Sequence, residues 1–133
     1  MNTGEKDLKK LLAGMTPQLR EGEYVFCSVA GGPLPDPADI VCFFREEEGL
    51  TLVLARSLAD RLLLPYEFIA AWITLTVHSS LEAVGLTAAV SKALADRQIS
   101  CNVIAAYYHD HIFVGVKDAA LAMEALRDLS GIT

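Results

Sequence analysis

The sequence predicts an α+β protein with a ferredoxin-like fold, built from two units that each place helices on one face of an antiparallel sheet. Three observations indicate this: a strand-helix-strand-strand-helix order in the second half, a partial repeat of that order in the first half, and an apolar content of 53%. Such an order lets two helices cover one face of a sheet. We expect the units to be residues 1–65 and residues 66–133.

The second half is predicted to be the complete unit. An apolar strand at residues 71–77 leads into a loop with one glycine and then a helix at residues 87–97. Strands at residues 100–106 and 110–116 form a hairpin, and a helix at residues 118–129 closes the unit. Every element needed for the fold is therefore present in this half.

The first half repeats part of this order and lacks one element. Its predicted elements are strands at residues 24–29, 40–45 and 50–55 and a helix at residues 56–64. Residues 31–37, between the first two strands, carry two glycines and three prolines, which exclude a regular helix. We therefore predict an incomplete first unit without a crossover helix, whose bare sheet is covered by a helix at residues 7–15.

Charge and composition exclude several classes of partner. The net charge of −6 disfavours nucleic acids and anionic membranes, both of which need clustered lysine and arginine. We expect no signal peptide, and the longest mainly apolar run, near residues 68–77, is too short to span a bilayer. Cys27, Cys42 and Cys101 lie in strand-like apolar runs, which indicates buried thiols in a reducing cytoplasm.

Apolar surface is the feature that predicts self-association. A mean hydropathy of +0.36 is high for a chain of 133 residues, because a small domain has much surface for its volume. Part of that apolar surface is expected to face another subunit. We predict a homodimer or a higher homo-oligomer.

One set of residues in the second half resembles a known family. Residues 84–86 (Val-Gly-Leu), then Val90 and Leu94 at helical spacing, then residues 97–104 (Arg-Gln-Ile-Ser-Cys-Asn-Val-Ile) resemble an ACT domain of the aspartokinase kind. The second half matches over its whole length. The first half resembles the degenerate partner domain of small bacterial tandem-ACT proteins of unknown function.

The resemblance implies a ligand site in the loop after the first strand of the second unit, where it meets the neighbouring domain's sheet. Backbone N–H groups near the start of the following helix would hold the carboxylate of an amino acid or a related metabolite, since a helix N-terminus favours anions. We predict no cofactor, no metal and no catalytic residue. The residues predicted to bind the ligand are His78, Ser79, Ser80, Val84, Gly85, Leu86 and Asn102.

Several of these residues also have an ordinary structural explanation, and His78, Ser79 and Ser80 can simply be polar loop residues with an N-cap-like role. Gly85 equally suits a tight turn between a strand and a helix, and Asn102 can satisfy a backbone group of an edge strand.

His109, Asp110 and His111 suggest a metal, but no Cys or third His lies nearby and Asp110 is a common turn residue. Cys101 has apolar neighbours and no base beside it, which is unlike a nucleophile.

Three classes of function follow. The first is a regulatory module, not an enzyme, that binds an amino-acid-like molecule and acts in trans on a separate protein. The second is a structural or protein-interaction module in which the ligand site is vestigial. The third, a small enzyme, is disfavoured because no nucleophile and base are placed together by the sequence.

Overall fold

The computed structural model describes residues 7–77, 80 and 83–131, and their packing divides the chain into two units. The large unit combines residues 7–20 with residues 71–131, and the small unit contains residues 21–70. The predicted division at residue 65 follows chain order, whereas this packing places the N-terminal segment with the second half. In chain order the elements are α1 (Leu8–Gly14), β1 (Pro17–Leu19), β2 (Tyr24–Val29), β3 (Ile40–Arg45), β4 (Leu50–Ala55), α2 (Arg56–Arg61), β5 (Ile69–Leu75), α3 (Leu86–Ala95), β6 (Asn102–Ala105), β7 (Asp110–Gly115) and α4 (Ala119–Ser130).

The large unit is a sheet whose inner face is covered by helices. β1 pairs antiparallel with β5, β7 lies beside β5, and β6 pairs antiparallel with β7. Alternate residues of a strand point to opposite faces, so Ile73 and Leu75 of β5 point inward with Ile112 of β7. These residues are buried against the inner faces of α3 and α4, including Leu94 and Leu126. The predicted ferredoxin-like, α+β class is confirmed.

The N-terminal segment belongs to the core of the large unit. Leu11 of α1 and Met15 after it are fully buried in the same cluster as β5, α3 and α4. The expectation that this helix covers the sheet of the first half is therefore wrong. The physical reason is β1, which the sequence analysis missed: Thr76 donates its backbone N–H to the carbonyl of Thr16 at 2.9 Å and ties the segment to the end of β5.

The small unit has a sheet with a single helix. β2 pairs antiparallel with β4, β4 pairs antiparallel with β3, and β2 also pairs with Ile69 and Ala70. Its core consists of the buried side chains Val25, Cys27, Leu52, Leu54, Leu58 and Ala59. Between β2 and β3, where every residue is described, the chain forms only a short 3-10 turn at Pro37–Asp39. The prediction of a first unit without its crossover helix is confirmed.

No helix formed by the described residues is long and apolar enough to cross a membrane.

Candidate functional site

A cavity of about 100 Å³ lies between the start of α3 and the turn of the β6–β7 hairpin. The hairpin contributes Ala105, the last residue of β6, and Asp110, the first residue of β7. The helix side contributes its first turn and the segment that precedes it. The lining residues are Ser80, Ala83, Gly85, Leu86, Thr87, Ala105 and Asp110.

The start of α3 presents open backbone donors to this cavity. Gly85 is the N-cap with a φ of 101°, and no side chain among the described residues caps the helix. The first intrahelical bond runs from the N–H of Ala89 to the carbonyl of Gly85 at 2.8 Å. The N–H groups of the turn before Ala89 have no partner within a helix, and the helix dipole adds partial positive charge to them. This end of the cavity therefore suits an anionic group.

The glycine at this cap is required by the turn and by a neighbour. A Cβ built on Gly85 would lie 3.2 Å from Cδ2 of Leu8, on the side of α1. Few side chains tolerate a φ of 101°, and a residue with a Cβ would also press on Leu8. The positive φ and the nearby Leu8 support the interpretation of Gly85 as a turn residue. Gly85 also lines the cavity.

Asp110 places a carboxylate in the same cavity. The residue is buried, with a relative exposure of 7%. Burial raises the pKa of the Asp110 carboxyl, and the nearby charge of His109 lowers it in part. Among the described residues, no side chain or backbone group donates a hydrogen bond to the Asp110 carboxylate. The cavity thus has a buried acidic group at one side and open N–H donors at another.

Three of the predicted ligand residues line the cavity. Gly85 and Leu86 do so from the start of α3, and the buried Ser80 does so from the preceding loop. The carbonyl of Ser80 accepts the backbone N–H of Ala83 at 2.9 Å, which closes a turn before the helix. The predicted residues His78 and Ser79 lie outside the described residues.

The structure does not place two further predicted residues at the cavity. The side chain of Val84 is 83% exposed and is absent from the lining. Asn102 is exposed at the start of β6, where its Nδ2 donates to the backbone carbonyl of Phe113 on β7 at 3.3 Å. The edge-strand explanation of Asn102 therefore describes its contact, and its ligand role stays a prediction.

Sequence reasoning missed the acidic residue of the cavity. Asp110 was interpreted as a turn residue, but the turn is closed by the backbone bond from the Ala106 N–H to the His109 carbonyl at 3.0 Å. The hairpin predicted from the sequence could have indicated this position. The last residue of β6 pairs with the first residue of β7, so Asp110 lies beside Ala105. A carboxyl group at that register position is a candidate for the site.

A separate polar cluster occupies the other face of the same sheet. His111 accepts at Nδ1 from the Trp72 indole N–H at 3.0 Å, and Thr74 Oγ1 lies 3.1 Å from the same nitrogen. Arg20 donates from Nε to Thr74 Oγ1 at 3.0 Å and stacks over the Trp72 ring. Burial lowers the pKa of His111, with the charges of Arg20 and His109 acting in the same direction. A neutral His111 fits its role as an acceptor.

The remaining sequence candidates are explained by this geometry. Asp110 and His111 are adjacent on β7 and so point to opposite faces of the sheet. Within residues 7–77, 80 and 83–131, no three His, Cys, Asp or Glu side chains come together in a way that could hold a metal ion. Burial raises the pKa of the Cys101 thiol to about 11, which keeps it protonated and unreactive near neutral pH.

Comparison with known proteins identifies both halves of the chain. One family model described as an ACT domain matches residues 3–71, and a second ACT domain model matches residues 67–128. No curated protein matches the sequence.

Solved structures with the same fold include one similar sequence. A Vibrio cholerae protein of unknown function, described as a possible transport protein, is 48% identical, covers 94% of this chain and 97% of its own, and superposes with a TM-score of 0.80. A protein from Agrobacterium tumefaciens is 17% identical over 87% of this chain and 89% of its own, with a TM-score of 0.63.

Aspartate kinase regulatory subunits share the fold at low sequence identity. The ligand-free regulatory subunit from Thermus thermophilus is 10% identical, covers 88% of this chain and 98% of its own, and has a TM-score of 0.63. ACT domains typically act as regulatory, ligand-binding modules, which supports a regulatory role. The two family matches follow one another along the sequence and together span most of it. The chain belongs to the ACT domain family as a tandem ACT-domain protein.

Proposed function

We propose that this chain is a regulatory module that binds a small, amino-acid-like molecule in the cavity beside α3, performs no chemistry of its own and acts on a separate protein target. The observation that carries the proposal is the uncapped start of α3, which opens its backbone N–H groups toward a cavity. The aspartate kinase regulatory subunits have the same fold, and the three free cysteines fit a cytoplasmic protein.

The size of the cavity fits the polar head of such a molecule. A volume of about 100 Å³ corresponds to roughly three water molecules, given about 30 Å³ for each in the liquid. A carboxylate with its α-carbon fits this space, while a longer side chain would extend out of it. The carboxylate would accept hydrogen bonds from the N–H groups of the first turn of α3, as anions do at helix N-termini.

The chemistry of the described lining fits binding better than catalysis. Its titratable side chain is Asp110, and its hydroxyl groups are those of Ser80 and Thr87. The described part of the lining includes no histidine, cysteine or lysine that could act as a base or a nucleophile beside these hydroxyls. A binding site without a reaction is therefore the simpler assignment.

A melting-temperature screen against the standard L-amino acids tests the proposal. A molecule that binds only the native state raises the melting temperature, and the rise increases with the ratio of its concentration to its dissociation constant. Ala105→Leu should abolish the shift, because Ala105 lines the cavity and its exposed side chain leaves the core intact. Val84→Ala is the matched control, since Val84 is exposed and lies outside the lining. The absence of any shift for the wild-type chain would contradict the proposal.

The predicted role of Asn102 is tested in the same assay. Asn102→Ala weakens binding by about 1–3 kcal/mol if the amide bonds a charged group of the ligand. The variant binds normally if the amide serves only the Phe113 carbonyl. Calorimetry with an amino acid that raises the melting temperature distinguishes these two outcomes.

We also propose that the chain forms a homo-oligomer through the edge of the small unit's sheet, which is the observation that favours an interaction role. β3 lies at the end of the strand order, and Phe43 and Phe44 on it are 54% and 72% exposed. An exposed apolar edge strand favours pairing with another chain. Light scattering should give a mass above 14.4 kDa, and Phe44→Glu should lower it. A monomer at all concentrations would contradict this assembly.

A further inference from the structure

We propose that Arg20, Trp72, Thr74 and His111 form a pH-sensitive switch, which holds the end of β1 on β5 while His111 is neutral and releases it when His111 is protonated. The four side chains contact one another on the sheet face of the large unit that is opposite to its helices. None of them lines the cavity beside α3, so the switch does not depend on the proposed function.

The hydrogen bond between Trp72 and His111 requires a neutral histidine. An indole N–H can only donate, so the 3.0 Å bond from Trp72 Nε1 needs an unprotonated Nδ1 on His111 as its acceptor. Thr74 Oγ1 lies 3.1 Å from the same Nδ1, so two groups meet at one lone pair. Protonation of Nδ1 therefore places an N–H group against the indole N–H and removes this bond.

Arg20 connects this histidine to the end of β1. It directly follows β1, and its backbone N–H donates to the Trp72 carbonyl at 2.8 Å. Its side chain donates from Nε to Thr74 Oγ1 at 3.0 Å and lies over the Trp72 ring, with 4.9 Å between Cζ and the ring centroid. The two residues that hold Arg20 are thus the two that contact Nδ1 of His111. A rearrangement at that nitrogen changes both contacts of Arg20.

The charges around His111 oppose its protonation. Arg20 at the end of β1 and His109 in the hairpin turn both lower the pKa of His111, after burial, which is the largest cause. The side chains of β5 that contact His111 are uncharged, and the residue paired with it on β6 is Ile104. Asp110 precedes it on β7 and faces the opposite side of the sheet. A protonated His111 therefore meets a guanidinium of the same sign.

The end of β1 has few other contacts that could hold it. β1 has three residues, and its first, Pro17, has no N–H to donate to β5. The other end of the segment is fixed independently, because Thr76 donates to the Thr16 carbonyl and both Leu11 and Met15 are fully buried. Release is therefore expected to be local, at the end of β1, with the core of the large unit intact.

Two measurements follow the switch in solution. Trp72 is the only tryptophan of the chain, so its fluorescence reports on this cluster. It is recorded from about pH 8 to about pH 5, across the ordinary pKa of histidine. Amide hydrogen exchange by NMR, corrected for the intrinsic pH dependence of exchange, compares the Arg20 N–H with the N–H of Leu126 in the middle of α4.

The wild-type chain should show one transition in both measurements. Because the pKa of His111 is lowered, the contacts are complete above about pH 6.5 and are lost as the pH falls through the folded pKa. The fluorescence midpoint should therefore lie below pH 6.5. Protection of the Arg20 N–H should fall on the order of 3- to 10-fold relative to Leu126, which corresponds to one net hydrogen bond.

Three variants assign the transition to a group. His111→Asn keeps an acceptor for Trp72 and removes the proton site, so neither signal should change across this range. The double variant His78→Asn with His109→Asn leaves His111 as the only histidine and should keep the transition. Its midpoint should move to higher pH, because the charge of His109 is gone. Arg20→Gln should also raise the fluorescence midpoint, since it removes the guanidinium charge.

Asp110→Asn is the matched control on the same strand, because burial also raises the pKa of that carboxyl. It should keep the transition, and loss of the transition in this variant would overturn the role of His111. A wild-type chain without a transition would overturn the switch, and so would a transition that persists in His111→Asn. A fluorescence change without loss of Arg20 protection would overturn the release of β1. The wild type and the double variant both retain His111, so they decide even if His111→Asn fails to fold.

Discussion

The large and small units each contain a hairpin followed by a helix, but they differ in the connection that leads into the hairpin. In the large unit the crossover helix α3 lies between β5 and the β6–β7 hairpin, whereas no helix of that length lies between β2 and the β3–β4 hairpin of the small unit. In the large unit α3 packs Leu86, Val90 and Leu94 into the core. In the small unit the corresponding connection is an irregular segment with one 3-10 turn, and the buried cluster is smaller. The crossover helix thus supplies two things together, a layer of core and a set of open N–H groups at the end of a sheet.

The pockets of the two units differ in volume and in how their charged side chains are paired. The small unit has an open groove of about 490 Å³ lined by charged residues that include Glu23, Arg56 and Asp60. Arg56 donates to Glu23 and to the Tyr66 hydroxyl, each at 2.9 Å, and Tyr66 donates to Asp60 at 2.6 Å. Each of these three charged side chains therefore has a hydrogen-bond partner within the small unit. The smaller cavity of the large unit holds a carboxylate that the described residues leave unpaired, and this difference favours it as the site.

The largest effect is expected from the core layer that α3 adds. Leu94→Ala should lower the free energy of unfolding by about 2–5 kcal/mol, because Leu94 is fully buried and its truncation leaves a cavity. Urea denaturation measures the change. Leu121→Ala on the partly exposed face of α4 should change stability by less than about 1 kcal/mol. Equal effects from the two variants would mean that α3 adds little to the core.

A second comparison uses a glycine from each unit. Gly85 at the start of α3 and Gly32 in the irregular connection both have positive φ, at 101° and 88°. Valine should cost roughly 1–3 kcal/mol at either position for the backbone conformation. At Gly85 the added Cβ would also meet Leu8 at 3.2 Å, whereas nothing lies within 4 Å at Gly32. Gly85→Val should therefore be the more destabilising variant in urea denaturation, and the reverse order would contradict this account of the cap.

Most of the fold could be predicted from local pattern, because strands and helices have distinct apolar periods. The strands Tyr24–Val29, Ile40–Arg45 and Leu50–Ala55 occur as predicted, and Gly and Pro in residues 31–37 correctly indicated the missing helix. The placement of α1 could not be predicted, since an amphipathic helix shows which face it buries but not against which sheet. β1 was missed because three residues give no strand period and Thr16-Pro17 indicated only the end of a helix.

The candidate site was predicted in part for the same reason. The resemblance to ACT domains led to the loop and to Gly85, which are local in sequence. Asp110 comes to the cavity through the pairing of β6 with β7, a long-range feature that a single sequence does not show directly. Asn102 was assigned to the ligand because its amide can donate and accept, but a backbone carbonyl on the adjacent strand provides a partner.

The stability of the chain should depend on pH through His111, which lies in the large unit. Burial lowers the pKa of His111 below its ordinary value of 6.5, so the folded chain binds fewer protons there than the unfolded chain. Stability from this group is complete above about pH 6.5 and is lost as the pH falls through the folded pKa. His111→Asn keeps an acceptor near Trp72 and should not show this loss. Urea denaturation of the wild type and of His111→Asn across this pH range measures the difference. Parallel curves of stability against pH for the two proteins would contradict the role assigned to His111.

The smallest expected effect concerns the ends of the two corresponding helices. α4 ends at Gly131 with a φ of 81°, whereas α2 is followed by Leu63 with a φ of 57°, a left-handed conformation that disfavours a residue with a Cβ. The Leu63 side chain is 88% exposed, so little packing is lost when it is removed. The backbone bonds from the Leu63 N–H to Asp60 and from the Leu64 N–H to Ala59 do not require a side chain.

Leu63→Gly should therefore stabilise the chain by about 0.5–1 kcal/mol, after the greater freedom of glycine in the unfolded state is subtracted from the relief of strain. Leu63→Ala is the control, because alanine keeps the unfavourable φ and should give no gain. Gly131→Ala should have the opposite sign, since it introduces at the end of α4 the strain that Leu63 already has. Urea denaturation of the three variants measures these differences. A loss of stability in Leu63→Gly would mean that the exposed leucine makes a contact that outweighs its strain, and the two helix ends would then not be equivalent.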